Sequence, residues 1–398
     1  MSDTQTKEQT GLSVGLLLTY QCNLDCSYCY IPKKSNKQMS FSVAQKILEP
    51  VLNAEGPPMD ILFMGAESLT AFSTLKAIVE WVESQQWKRR YRFNATTNGT
   101  LLTADIKAWL KQHKKWVTLA LSYDGVPESQ DKNRSGSSKQ IDLDFFLESW
   151  PQQELQMTIN EYSVSKMADG VISLLERGFL VNANVAYEEN EWSDESVQEY
   201  AIQLNLLLNY YLTHPSASRI NQFTLPLIEY ADNLDNPKQQ TRQCGAGDGF
   251  SVYDVDGSEY PCHIISPLVL TKAQLADSSS KITDTTCFAD ERCVGCPYVT
   301  DCPTCMGCNL KYRGSVARRD LTHCKMTMLE VMATIKLQTM LLLNKKELSP
   351  DDAKMVDAIN KLTHKTKSIL DTLLLSFFPD TEIKEIDYLD PFDVREEL

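Results

Sequence analysis

Twelve cysteines fall into two fields with none between them, and this limits what the chain can fold into more than any other feature. Cys22, Cys26 and Cys29 lie within eight residues; the next is Cys244, and nine crowd into 244–324. A disulfide scaffold belongs to short secreted chains. This chain has 398 residues, and its polar start, Met1–Thr10, has no apolar signal core. A cytoplasmic protein is expected, and clustered thiols there hold metal or do redox chemistry.

The length implies two or three domains, and an apolar fraction of 42% suffices for a sizeable core. No apolar run approaches the roughly 20 residues that span a bilayer, so no membrane role is expected. With 39 Lys+Arg against 53 Asp+Glu, the net charge of −14 disfavours nucleic acid and anionic lipid as partners.

Residues 12–215 alternate strand and helix. Strands are expected at Ser13–Thr19, Asp60–Met64, Arg92–Thr97, Trp116–Ser122, Gln156–Asn160 and Val181–Tyr187. Helices are expected at Ser40–Ala54, Leu75–Glu83, Ala104–His113, Ser165–Arg177 and Glu195–Leu212. Such alternation implies parallel βαβ units. About six fit, short of the eight in a closed barrel. The fold class expected is therefore α/β, a partial (β/α)6 TIM-type barrel, followed by a cysteine-rich domain and C-terminal helices. Residues 216–243 read as a linker and 244–324 as the cysteine-rich domain, with a hairpin around Asp256-Gly257. Residues 325–377 read as a helical hairpin and 378–398 as an acidic tail. A segment with as few apolar side chains as 287–313 needs something other than a core, most simply metal.

Three thiolates on the loop after the first strand can ligate three irons of a [4Fe–4S] cube and leave the fourth open. The arrangement Cys22-x3-Cys26-x2-Cys29, with Tyr28 before the third Cys, resembles the radical SAM superfamily. That resemblance implies S-adenosylmethionine on the open iron, its reductive cleavage to a 5′-deoxyadenosyl radical, and hydrogen abstraction from a substrate. Gly65-Ala66-Glu67-Ser68 looks like the GGEP turn that holds the SAM amino group, with Ala66 and Ser68 departing from it. Thr97-Asn98-Gly99-Thr100 looks like the TNGT strand end. Ser122-Tyr123-Asp124-Gly125 with Asp131-x-x-Arg134 resembles a stretch of peptide-modifying members, which would set Ser122 on the ribose and Arg134 on the SAM carboxylate. By its bare spacing the cluster could also be a zinc knuckle lacking its fourth ligand.

The second field resembles the SPASM domain of the same superfamily: Cys244, then Gly257 separated by four residues from Cys262, then Cys293-x2-Cys296-x5-Cys302, and finally Cys324. It departs once, since Met306 stands where the next Cys is expected and Cys305 and Cys308 bracket it. The resemblance implies two auxiliary [4Fe–4S] clusters beside the catalytic one. Cys293, Cys296, Cys302 and Cys324 would hold one, and Cys244, Cys262 and Cys305 the other. The fourth ligand of the latter stays open among Cys287, Cys308, a substrate atom or nothing. Structural zinc is the alternative that spacing allows.

The resemblance implies an oxidoreductase that modifies a ribosomally made precursor peptide, by thioether or carbon–carbon cross-linking or by backbone excision. An external electron donor of flavodoxin or ferredoxin type is implied. The first strand begins near residue 13, so a separate leader-recognition protein, or direct recognition of the core peptide, is implied as well. The alternatives are an anaerobic sulfatase maturase forming formylglycine, with Asp124 as candidate carboxylate, a small-molecule dehydrogenase, or a non-catalytic iron–sulfur or zinc module.

Overall fold

The computed structural model describes residues 12–377 except 33, 188, 190–191, 237–243, 279–289 and 300–301, and only the backbone of 277–278 and 370–377. Cys287 and the segment 378–398 lie outside the described residues.

The chain opens with β1 (Leu12–Thr19), α1 (Phe41–Asn53), β2 (Met59–Gly65), α2 (Phe72–Glu83), β3 (Tyr91–Thr97), α3 (Ala104–His113) and β4 (Val117–Leu121). Two short helices, α4 (Pro127–Asn133) and α5 (Leu143–Ser149), precede β5 (Leu155–Ile159), α6 (Met167–Glu176), β6 (Val181–Val185) and α7 (Asp194–Thr213). All six strands lie within two residues of their expected ends. Capping explains the helix starts: Ser40 Oγ accepts the Val43 N–H at 3.3 Å, and Thr103 Oγ1 accepts that of Ile106 at 3.3 Å. The helices α4 and α5 are not legible beforehand, since at 7 residues each they carry too little periodicity.

β1 to β4 are parallel neighbours in chain order, and β5 and β6 form a parallel pair. A bridge between Ser122 and Gln156 and the hydrogen bond from Tyr123 N–H to the Gln156 carbonyl at 2.9 Å join the two sets. Helices on the sheet bury consecutive residues of β1 (Leu16, Leu17, Leu18), which is why that strand reads as an unbroken apolar run.

The expected linker 216–243 is corrected by the structure. Within it α8 (Leu227–Asp235) is folded, with Leu227, Tyr230 and Ala231 buried on one face. Tyr230 meets Tyr298 edge-on at 5.1 Å, and Asn233 Nδ2 donates to the Pro297 carbonyl at 2.9 Å. This segment therefore anchors the second cysteine field. Its polar residues are what made it look like a linker.

The hairpin of β7 (Phe250–Tyr253) and β8 (Glu259–Tyr260) turns at Gly257, φ +89°. It is not a separate layer: β7 pairs in parallel with β1, extending the first sheet. Tyr20, just past β1, locks the join by donating to the Asp254 carboxylate at 2.8 and 2.9 Å. The chain ends in α9 (Lys272–Ser278), α10 (Met306–Arg313), α11 (Leu321–Leu343) and α12 (Pro350–Phe377). The helix α11 starts before Cys324, so that cysteine belongs to the C-terminal helices as well as to its field. By length and composition α11 could cross a membrane, against the expectation that no run is long enough; 67% of its most apolar window is buried in the protein. It packs on α7 and α12.

Candidate active site

The carboxyl ends of β1 to β4 open into a cavity of about 340 Å³ lined by Cys22, Cys26 and Cys29. The same cavity is lined by Tyr28, Gly65, Ala66, Glu67, Ser68, Asn98, Ser122 and Arg134. All eight residues expected at the cofactor are thus brought to the three thiols, from loops far apart in sequence.

The thiol loop is held from three sides. Asn98 Nδ2 donates to Asn23 Oδ1 at 3.0 Å, and Asn23 Nδ2 to Thr100 Oγ1 at 2.7 Å. The Ser27 N–H donates to the Asn133 carbonyl at 2.9 Å, and Asn160 Nδ2 reaches Ser27 Oγ at 3.2 Å and Asn133 Oδ1 at 3.0 Å. None of these thiols is in a disulfide. Burial pushes Cys26 up to about 11 and raises Cys22. Buried, neutral thiols need a metal to become thiolates.

Gly65 is required by its neighbours: φ is +131°, and a Cβ there would lie 2.3 Å from the Thr19 carbonyl oxygen. The N–H groups of Ala66 and Glu67 donate to the carbonyls of Thr19 and Gln21 at 3.1 and 3.0 Å. With these donors spent, the turn has acceptors to offer, which suits an ammonium group. The Glu67 and Ser68 side chains face inward instead. Ser68 Oγ donates to the Phe63 carbonyl at 3.1 Å. The Glu67 carboxylate accepts from Thr97 Oγ1 at 2.8 Å, Asn98 N–H at 2.8 Å and Leu69 N–H at 3.1 Å. Burial still raises its carboxyl above the ordinary value, against those bonds.

Arg134 carries the largest difference from expectation. Its guanidinium is not an open fork for a ligand carboxylate: Nη2 donates to Asp124 Oδ1 at 3.1 Å, and Nε lies 3.1 Å from Oδ2. Asp124 also accepts from the Tyr28 hydroxyl at 2.6 Å and the Thr158 N–H at 3.0 Å. That carboxylate is fully engaged, so it is not the spare catalytic carboxylate of the sulfatase-maturase alternative. Burial works against the Arg134 charge, but Asp124 holds it above its ordinary value. Ser122 lines the cavity and comes from the strand end beside Asp124.

The positions of Asn133, Asn160, Lys34 and Tyr30 were not singled out from the sequence. Lys34 Nζ, which lines the cavity, donates to Asp25 Oδ1 at 2.9 Å. His263 also lines it, and its Nε2 lies 3.0 Å from the Tyr30 hydroxyl. Burial lowers this imidazole to about 4, so it is neutral. Adjacency to Cys29 and Cys262 was the available signal for this pair.

In the second field, Cys293, Cys296, Cys302 and Cys324 line one cavity of about 400 Å³. Burial raises all four thiols. The other expected ligands gather separately. Cys262 is within electrostatic reach of Cys305 and Cys244, and burial pushes its thiol up to about 12. Cys305 caps α10, accepting the Cys308 N–H at 3.5 Å. Cys308, buried, is hydrogen-bonded to Cys305 and within electrostatic reach of Cys262. A hydrogen bond from the Cys308 thiol lowers Cys305 below the ordinary thiol value. His323 is structural: Nε2 lies 3.1 Å from the Ala186 carbonyl and the ring stacks on Tyr187 at 4.2 Å. Among the described residues no three His, Cys, Asp or Glu side chains converge on a single ion; the thiols of the first set and of the Cys293 set ring cavities instead. Donor chemistry and cavity size fit a polynuclear iron–sulfur group.

Comparison with known proteins agrees. The family profile described as a 4Fe-4S single cluster domain matches residues 10–142. The radical SAM cyclopropyl synthase TigE of Paramaledivibacter caminithermalis is 24% identical over 150 residues, 33% of this chain and 31% of that protein. An uncharacterized protein of Methanocaldococcus jannaschii is 31% identical over 111 residues, 28% of this chain and 38% of its own. The chain thus spans about a third of the length of these curated relatives. In fold, anSMEcpe with bound AdoMet superposes with a TM-score of 0.62 at 16% identity, over 91% of this chain and 98% of that one. Streptococcus suis SuiB bound to precursor peptide SuiA gives 0.53 at 15%, over 79% and 76%. In motif, in sequence and in fold, the chain resembles the radical SAM superfamily and its SPASM-bearing members.

Proposed function

We propose that the protein is a cytoplasmic radical SAM enzyme of the SPASM type that modifies a peptide. The observation that carries this reading is the meeting of Cys22, Cys26 and Cys29 with Gly65–Ser68, Asn98, Ser122 and Arg134 around one cavity at the strand ends. The six parallel strands are read as a partial (β/α)6 barrel whose chemistry sits at its carboxyl face. Cys22, Cys26 and Cys29 would hold a [4Fe–4S] cluster. Bound there with S-adenosylmethionine, it would supply one-electron cleavage of the sulfonium and hydrogen abstraction.

The chain's own residues give position. The carbonyls of Gly65 and Ala66 would accept the ammonium of S-adenosylmethionine, since that of Glu67 already accepts from the Thr70 N–H and hydroxyl. Ser122 offers a hydroxyl, and the Asp124–Arg134 pair with Tyr28 closes the wall against water. Cys293, Cys296, Cys302 and Cys324 would hold one auxiliary cluster, and Cys244, Cys262, Cys305 and Cys308 the other. Cys308 is our choice of fourth ligand because its thiol is hydrogen-bonded to Cys305 and within electrostatic reach of Cys262. Three clusters make a path for electrons, exchanged with a flavodoxin or ferredoxin.

A peptide substrate is supported by the fold neighbours, since anSMEcpe is seen with Cp18Cys peptide and SuiB with its precursor peptide SuiA. A separate leader-recognition protein fits this reading. The test is anaerobic incubation of iron-loaded, reduced protein with S-adenosylmethionine. Release of 5′-deoxyadenosine is expected; its absence from protein carrying a full iron complement would sink the enzyme reading.

A further inference from the structure

Arg319 is the one described arginine whose three guanidinium nitrogens, Nε, Nη1 and Nη2, are all buried without a hydrogen-bond partner. The residue is only 6% exposed. A guanidinium taken out of water with nothing opposite it costs several kcal/mol, so chains seldom leave one that way. Two carboxylates near it are already used, and a third, the exposed Glu189, shares only an outer cavity with it. Asp290 is paired with Arg292 and accepts the Arg319 backbone N–H at 3.0 Å. Asp320 is paired with Arg313 at 2.6 Å. On its inner side Arg319 lines the cavity of Cys293, Cys296, Cys302 and Cys324. Its charge already works against the burial of Cys293, Cys296 and Cys302, and among these thiols its side chain reaches toward that of Cys302.

We infer that Arg319 is the built-in counter-charge of the auxiliary cluster held by Cys293, Cys296, Cys302 and Cys324, and that it sets this cluster's reduction potential above that of the other auxiliary cluster. The inference rests on the reading of these four thiols as a cluster site. Four thiolates around a [4Fe–4S]²⁺ core carry a net charge of −2, and one-electron reduction takes it to −3. A buried cation stabilises the more negative state, so the reduced cluster is favoured. Among the described residues the cation near the other set is Lys311, which acts on Cys308 but is only half-buried and already donates to the Tyr30 carbonyl and the Tyr312 hydroxyl, both at 2.8 Å. Electrons leaving a substrate would therefore collect at the Cys293 set. That set is placed for exchange with a carrier, since Val294, inside its Cys-x2-Cys loop, is 82% exposed.

The test is a potentiometric titration followed by EPR, on anaerobically loaded full-length protein in which Cys22, Cys26 and Cys29 are replaced by Ala. Only the auxiliary clusters then contribute, and SAM cleavage plays no part. Arg319→Gln should lower one midpoint by at least tenfold in the reduction equilibrium, about 59 mV for one electron, with iron content unchanged. Arg318→Gln, the exposed neighbour, should shift nothing. If Arg319→Gln fails to retain iron, Arg319→Lys decides: it keeps the charge and loses the planar fork, and a smaller fall of the same midpoint is expected. Unchanged midpoints in an iron-replete Arg319 variant, or equal shifts from Arg318→Gln, would overturn the inference. If Cys296→Ala removes no iron from the same background, the cluster reading of this set fails instead, which is a separate result.

Discussion

Asp124 and Arg134 form a buried ion pair across the turn after β4, and the same carboxylate takes the hydrogen bond of Tyr28 from the thiol loop at 2.6 Å. One side chain thus fixes a cation and the residue between Cys26 and Cys29. Asp124→Asn would leave the guanidinium without its counter-charge. Breaking a buried pair from one side costs about 3–5 kcal/mol. The upper part of that range is expected here, because Asn keeps a single acceptor oxygen and either Tyr28 or the Thr158 N–H loses its partner too. Urea titration of the loaded protein reads this directly, and a double variant with Arg134→Gln should recover part of the loss. A single variant as stable as the parent would mean that the pair is idle.

Glu67 positions the site without reaching into it. Its carboxylate ties the end of β2 to the end of β3 through Thr97 and Asn98. Glu67→Ala leaves three buried donors unmet, at about 1–3 kcal/mol each. Stability should fall by more than about 3 kcal/mol, and S-adenosylmethionine should bind more weakly. Glu67→Gln retains one acceptor oxygen and should rescue partly. Normal binding by Glu67→Ala, seen by calorimetry, would instead leave the Gly65–Ala66 backbone to hold the ligand unaided.

The motifs were legible because they are local: Cys22-x3-Cys26-x2-Cys29 and Gly65–Ser68 each occupy one turn, and all the residues expected at the cofactor meet in one cavity. Roles that depend on long-range pairing were not. Nothing near Arg134 in the chain reveals that it is already paired with Asp124, since a single side chain pairs equally well with a ligand or a neighbour. The pairing of β7 with β1 was hidden for the same reason, because parallel partners 237 residues apart (Ser13 and Phe250) leave no periodic signal. In α8 the polar residues outweighed the apolar stripe of Leu227, Tyr230 and Ala231.

Glu330, on α11, gives the fold a pH dependence of its own. It accepts from the Tyr200 hydroxyl at 2.6 Å on the packed face of α7. Burial raises its carboxyl from 4.5 to about 7. The folded state therefore binds this proton more tightly than the unfolded chain does. Its contribution to stability is present in full below about 4.5 and is lost as pH rises through about 7. Glu330→Gln, which mimics the protonated form, should match the parent near pH 4.5 and exceed it at pH 8 by on the order of 3 kcal/mol. Urea midpoints across that range test the sign. A gain that is the same at every pH would point to packing rather than protonation.

Cys308 decides how the Cys262 set is closed. Met306 interrupts the expected spacing, and Cys305 at the start of α10 brings Cys308 back to the same place one turn later. The buried Cys308 thiol can donate to Cys305 only while protonated, and metal would take both as thiolates. Three cubane clusters amount to about 12 irons, and loss of one leaves about 8. Cys308→Ala should bring the iron content of anaerobically loaded protein toward the lower value, as Cys262→Ala should. Arg134→Gln, which touches none of these thiols, should leave this set's iron in place. A Cys308→Ala protein that keeps about 12 irons, with an altered signal from a single cluster, would mean that this set has only three protein thiolates. Its fourth iron would then be open to substrate.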